Sequence, residues 1–280
     1  MKKVALLPNV ITAFGLACGL FVIFKINLLE PGSGHYEVVL VSALLLLVAA
    51  LADFIDGALA RAIRAESDFG LVFDSFADAI SFGVAPSVLL LKALSLEQGT
   101  LLSFLAASGA MVFSLCGVLR LVRFSVNQSA SKGDPEKEAA QKKHFTGLPI
   151  PAAAAAAVSA NLFFLYPLTG RFLELGDQTR AIVLSLVMIF LGYLMVCRLK
   201  FPSLKMLHLK VPSFNMVFLT VIGALFILYG ILYFFPFVMV GSAWGYIFLG
   251  LTLSMIRFFA GKKSKTLEEF EPEPEEEIDR

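Results

Sequence analysis

The sequence predicts an all-α, polytopic integral membrane protein: a bundle of about eight transmembrane helices with both termini inside. Three observations carry that prediction. Apolar side chains make up 58% of the 280 residues and charged ones only 16%, outside the usual range of a soluble domain. Several apolar runs approach or exceed the roughly 20 residues that cross a bilayer. Of the 23 Lys and Arg residues, all but Lys25, Lys92, Arg171 and Arg180 fall at the N-terminus, at alternate span ends and loops, or in the tail. By the positive-inside rule that face is cytoplasmic.

The spans are expected at about 9–29, 37–60, 70–94, 100–122, 147–167, 178–198, 214–235 and 238–259. They form one membrane-embedded domain over residues 1–260. In the first span, Gly15 and Gly19 make a small-xxx-small face for close helix packing, and Pro8-Asn9 suits the helix start. Asn9 and Thr12 lie at its cytoplasmic end, where they either face a site or simply open the helix. Cys18, Cys116 and Cys197 fall in separate spans without paired spacing, so no disulfide framework is expected. His35, His144 and His208 lie in different loops and do not predict a histidine metal site.

The second and third spans carry the chemistry. Asp53, Asp56, Gly57 and Ala60 stand at i, i+3, i+4 and i+7; Gly70, Asp74 and Asp78 stand at i, i+4 and i+8. Each set falls on one helix face. Two helices joined by a short link bring four carboxylates face to face, where a charge at mid-membrane depth costs roughly 2.5–3.5 kcal/mol. Two divalent cations balance four such charges, and an all-oxygen donor set suits a hard ion, Mg²⁺ or Mn²⁺. The competing reading is that these aspartates are solvated helix ends paired with Arg61 and Arg64. Ser67 or Asp68 is placed to cap the third span, and Pro86 within it predicts a kink.

The pattern D-x2-D-G-x2-A-R-x8-G-x3-D-x3-D, running from Asp53 to Asp78, resembles the signature of the CDP-alcohol phosphotransferases at every fixed position. The stretch Asp74-Ser-Phe-Ala-Asp78-Ala-Ile-Ser-Phe-Gly-Val-Ala-Pro86 is most similar to the phosphatidylserine synthase branch. So is Phe145-Thr-Gly147-Leu-Pro149-Ile-Pro151 with the alanines that follow, and more faintly Phe201-Pro-Ser-Leu-Lys205. The resemblance implies an integral enzyme of the cytoplasmic membrane, its site facing the cytoplasm, that moves a phosphatidyl group from CDP-diacylglycerol to L-serine. It implies that Asp53, Asp56, Asp74 and Asp78 hold two ions, that Asp78 also serves as general base, and that Gly57, Ala60, Arg61 and Gly70 line the CDP pocket. A homodimer is implied as well, with membrane lipid and no nucleic acid among the partners. Other acceptors within the family are glycerol 3-phosphate, inositol or its phosphate, and choline; a metal-ion transporter is the alternative from another class.

Arg120 and Arg123 end the fourth span one helical turn apart. Either marks the inner face only, or offers a planar fork to the acceptor's carboxylate or to a phosphate. The loop at about 125–146 is polar. The alanine run after Pro151 is barely apolar enough for lipid and is expected against other helices, while the last two spans carry no internal acids and read as packing or lipid-facing elements. Residues 261–280 form an acidic tail, with eight acids between Glu268 and Arg280 and no means of packing a core.

Overall fold

The computed structural model describes residues 6–30, 34–63, 67–97, 99–131, 144–172, 176–202, 230 and 233–260. Its helices are α1 (Leu6–Asn27), α2 (Tyr36–Ala62), α3 (Asp68–Asp78), α4 (Ala85–Ala93), α5 (Leu101–Ser131), α6 (Ile150–Leu165), α7 (Pro167–Phe172), α8 (Asp177–Val196) and α9 (Phe235–Ala260). A π-helical segment, Ala79–Val84, joins α3 to α4, so Phe69–Ala93 forms a single span. Among the described residues, six helices are long and apolar enough to cross a membrane. They match six of the eight expected spans, and α6 matches a seventh. The expected span at 214–235 and the acidic tail lie outside the described residues, apart from the last positions of that span.

α6 is shorter than its predicted 147–167. Its 16 residues rise roughly 24 Å, less than the ~30 Å hydrocarbon core. Pro149 starts it and the chain leaves the helix at Tyr166. It does not need to face lipid, because Ala153, Ala154, Ala156 and Ala157 are buried among α2, α4, α8 and α9. Methyl-sized side chains let these helices approach closely, as the run predicted.

One feature departs from the all-helical expectation. β1 (His144–Thr146) pairs antiparallel with β2 (Lys200–Pro202), with Phe145 opposite Phe201. The ribbon ties the chain before α6 to the chain after α8. Phe201 is fully buried and lies so close to Gly250 of α9 that a β-carbon there would collide with its ring.

Pro86 produces a wide turn just ahead of itself. Proline lacks an N–H and its ring clashes with the carbonyl four residues back. The π segment adds a residue to the turn, and the Ala85 N–H reaches Ile80 O, five residues earlier. The carbonyl of Gly83 is served from the side: Ser87 Oγ lies 3.2 Å and Ser114 Oγ 3.0 Å from it, and the two hydroxyls lie 2.9 Å apart. This serine pair, Ser87 buried and Ser114 half-buried, joins the π segment to α5.

α1 packs on this region through its glycines. Gly15 lies against Ala49 and Ala52 of α2, and its carbonyl accepts from Ser81 Oγ at 3.4 Å. At Gly19 a β-carbon would stand 2.8 Å from Ser81 Cα. The small-residue face of α1 therefore sets how near it comes to both aspartate-bearing helices. Gly19→Leu is expected to lower the unfolding midpoint in detergent, a loss of about 1–3 kcal/mol from overpacking; an unchanged midpoint would show that α1 does not seat there.

Candidate active site

The two aspartate stripes meet where the sequence places them, because α2 and α3 both pack on α1. Asp53 and Asp56 project from the carboxyl-terminal part of α2, and Asp74 and Asp78 from the carboxyl-terminal half of α3. One carboxylate oxygen from each of Asp53, Asp56 and Asp74 lies within 4.8 Å of the others. Asp53 and Asp74 are close enough to share a hydrogen bond. Two carboxylates cannot touch without a positive charge between them, whether a proton or a cation. Asp78, one turn further along, is not part of that trio and lies within electrostatic range of Arg120.

The four acids line a narrow cavity of about 10 Å³ with Thr12, Gly15, Leu16, Ala49, Ala77, Ser81 and Phe82. That is close to the least space that holds one water molecule, so it suits an ion and not a nucleotide. Its polar lining is entirely oxygen: four carboxylates and two hydroxyls. The residues therefore fit hard divalent cations. Asp53, Asp56 and Asp74 are the converging donors, and Asp78 stands at their edge.

Thr12 has a definite place here. Its Oγ1 lies 2.5 Å from Asp56 Oδ2 and 3.1 Å from Pro8 O. Its single proton can serve one of them at a time, and the shorter contact favours the carboxylate. Asp56 is almost wholly buried, so this contact fixes the carboxylate's direction. Asn9 sits over the start of α3, where a β-carbon on Gly70 would lie 3.2 Å from Asn9 Oδ1. Ser67 caps that helix by accepting from Gly70 N at 3.0 Å. Of the two capping candidates, it is Ser67 that forms the cap.

Arg61 is exposed at the end of α2 and folds back over Gly57, where a β-carbon would lie 3.4 Å from Nη1. Its charge reaches Asp53, Asp56 and Asp74. Ala60 is half-buried beside it, and Arg64 lies outside the described residues.

The arginines of α5 separate. Arg120 is 8% exposed and its Nε has no hydrogen-bond partner among the described residues. It lies within electrostatic range of Asp78 and of Tyr246 of α9. Arg123 turns instead to main-chain carbonyls, donating to Val196 O at 2.8 Å and Thr146 O at 3.0 Å.

Tyr246 was not legible as a site neighbour, since α9 carries no acid inside its apolar run. A phenol within such a run was the one available signal. Cys18, Cys116 and Cys197 are free thiols.

The family model for CDP-alcohol phosphatidyltransferase matches residues 5–197, which covers α1 to α8 and all four aspartates. The chain belongs to the CDP-alcohol phosphatidyltransferase family. It is similar to the CDP-diacylglycerol–serine O-phosphatidyltransferase of Helicobacter pylori, 30% identical over 81% of this chain and 90% of that protein. The protein of the same name from Bacillus subtilis is 34% identical over 71% of this chain and 91% of its own length. An archaetidylserine synthase from Methanothermobacter thermautotrophicus is 31% identical over 63% of this chain and 67% of its own. The chain is thus an integral membrane enzyme of this family, and its acid cluster lies inside the matched region.

Thr12→Val keeps the shape of the side chain and removes the contact to Asp56. Divalent-cation affinity, followed by cation-dependent thermal stabilisation of the purified protein, should fall about 10-fold or more, as for other partners that orient a ligating group. An affinity equal to that of the unaltered protein would mean that Asp56 is oriented without Thr12.

Proposed function

We propose that the protein transfers the phosphatidyl group of CDP-diacylglycerol to the hydroxyl of L-serine, giving phosphatidylserine and CMP. The observation that carries this reading is the convergence of the motif aspartates on an ion-sized cavity. The chain's relatives named for serine transfer support the choice of acceptor. Relatives named for phosphatidyl and for archaetidyl lipids share serine in their names, which favours the acceptor over the lipid as the common element.

The reaction forms a bond between the serine hydroxyl oxygen and phosphorus and breaks the bond from that phosphorus to the oxygen that leaves with CMP. The hydroxyl proton is taken up by Asp78, which lies apart from the converging trio and on the side of Arg120. Asp53, Asp56 and Asp74 with Asp78 would hold two Mg²⁺ or Mn²⁺ ions, which would supply positive charge to offset the diphosphate. Arg61 adds a guanidinium over Gly57, where the missing side chain leaves room for a phosphate. Gly57, Ala60, Gly70 and Asn9 border the space for the CDP group, and Thr12 holds Asp56 in place. Arg120, with a free donor and a buried charge, takes the carboxylate of serine. The working form is a pair of identical chains.

The direct test is release of labelled CMP from CDP-diacylglycerol by purified protein with divalent cation and each acceptor in turn. L-serine should support turnover, and a chelator should stop it. Asp53→Asn, Asp56→Asn or Asp74→Asn should each nearly abolish release. Asp78→Asn should lose turnover but still bind CDP-diacylglycerol. Release with glycerol 3-phosphate or inositol but not with serine would overturn the acceptor, and a fully active Asp78→Asn would overturn the base.

The same proposal places the site on the cytoplasmic face. The acid cluster shares its end of the bundle with Arg61, Arg120 and Arg123, while Lys25 ends α1 and Lys92 ends α4 on the opposite side. A reporter that is active only in the cytoplasm, fused after Arg280, should be active; activity only of an external reporter would reverse the orientation.

A further inference from the structure

Arg120 and Arg123 stand one turn apart on α5, yet their surroundings differ in kind. The Arg123 guanidinium donates to Val196 O at 2.8 Å, Thr146 O at 3.0 Å and Met195 O at 3.4 Å. Met195 and Val196 are the last residues of α8, whose carbonyls have no partner within the helix and carry its negative end. Thr146 ends β1 and precedes Gly147, which has φ +79°. A β-carbon on Gly147 would lie 2.9 Å from Arg123 Nη2 and 3.1 Å from Cys197 O, so this turn closes directly onto the guanidinium. Gly147 N donates to Leu199 O at 2.8 Å and Leu148 N to Leu194 O at 2.9 Å. Arg123 thus sits inside a seam of main-chain bonds joining the start of α6 to the end of α8.

Arg120 has none of these carbonyls. It is buried, its Nε is unpartnered among the described residues, and it lies within electrostatic range of Arg123, Asp78 and Tyr246.

We infer that Arg123 is a positioning residue: it caps the carboxyl end of α8 and the Thr146 turn, and thereby leaves Arg120 unclaimed for the substrate's carboxylate. If Arg123 were absent, the carbonyls of Met195, Val196 and Thr146 would lose their cation, and the guanidinium one turn back on the same helix would be drawn towards them and away from Asp78. The inference rests on the reading of Arg120 as the acceptor's anion site, and it separates two roles that the sequence left shared. It also predicts which substitution each position tolerates. Capping carbonyls requires charge and several N–H donors, which an ammonium has. Gripping a carboxylate uses the planar fork, which an ammonium lacks.

The test uses the full-length protein in lipid nanodiscs, with serine-dependent CMP release and amide hydrogen exchange over residues 144–150. Arg120→Lys should raise the KM for serine about tenfold or more, while Arg123→Lys keeps it within about twofold. Arg123→Gln should raise the serine KM towards the Arg120→Lys value and speed exchange at Gly147 and Leu148. Combined with Arg120→Lys it should add little further, because both act through one group. A serine KM that rises in Arg123→Lys without faster exchange would mean that Arg123 itself holds the acceptor, and would overturn the inference. Unchanged exchange in Arg123→Gln would overturn the clamp. An unchanged serine KM in Arg120→Lys would instead sink the reading of Arg120, with exchange still deciding the clamp. If Arg123→Gln does not fold, the kinetics of Arg123→Lys decide alone.

Discussion

Four carboxylates drawn together at one end of a membrane bundle are the constraint around which the other elements are arranged. Bringing Asp53 into contact with Asp74, with Asp56 and Asp78 close by, is unfavourable unless positive charge enters the space between them. The protein's own contribution is partial: Arg61 covers the outer side and Arg120 the inner one. Neither guanidinium lines the narrow cavity that the acids share. A site arranged in this way is complementary to small hard cations and, through them, to a diphosphate.

Close approach of three helices makes that arrangement possible, and small residues permit it. Gly15 and Gly19 of α1 lie against Ala49, Ala52 and Ser81, so α1 settles between the two aspartate helices and delivers Thr12 to Asp56. The π segment immediately after Asp78 has two consequences: it accommodates Pro86, and it places Ser81 against α1. Ser87 and Ser114 both bring hydroxyls to the Gly83 carbonyl inside this irregular turn. In lipid such a carbonyl has no water to turn to, so irregular backbone is stable only where the protein itself supplies donors.

Half-buried arginines close the bundle at both ends by the same means. Arg123 caps the end of α8, and at the opposite side Arg180 donates to Ala93 O, at the end of α4, and to Asn161 Oδ1. Each helix terminus buried inside the bundle needs donors for its last carbonyls, and a guanidinium offers several from one side chain. Arg120 and Arg180 each keep a buried Nε without a partner among the described residues; what distinguishes Arg120 is that it lies within electrostatic range of Asp78.

The sequence by itself determined the membrane class, most of the spans, the two aspartate stripes and the small-residue faces. Each is a property of local spacing: twenty apolar residues span a bilayer, and i, i+4 residues share a helix face whatever surrounds them. Spacing also drew attention to Asn9 and Thr12, which lie against Gly70 and Asp56. It did not distinguish Arg120 from Arg123, since both sit one turn apart on one helix with identical side chains. That distinction came from the carbonyls of Thr146, Met195 and Val196, which lie 23 to 73 residues away in the chain. Tyr246 beside Arg120 and the β1–β2 ribbon were likewise decided by tertiary structure. They depend on which helix ends are buried together and which backbone groups then need partners, and no local pattern encodes that.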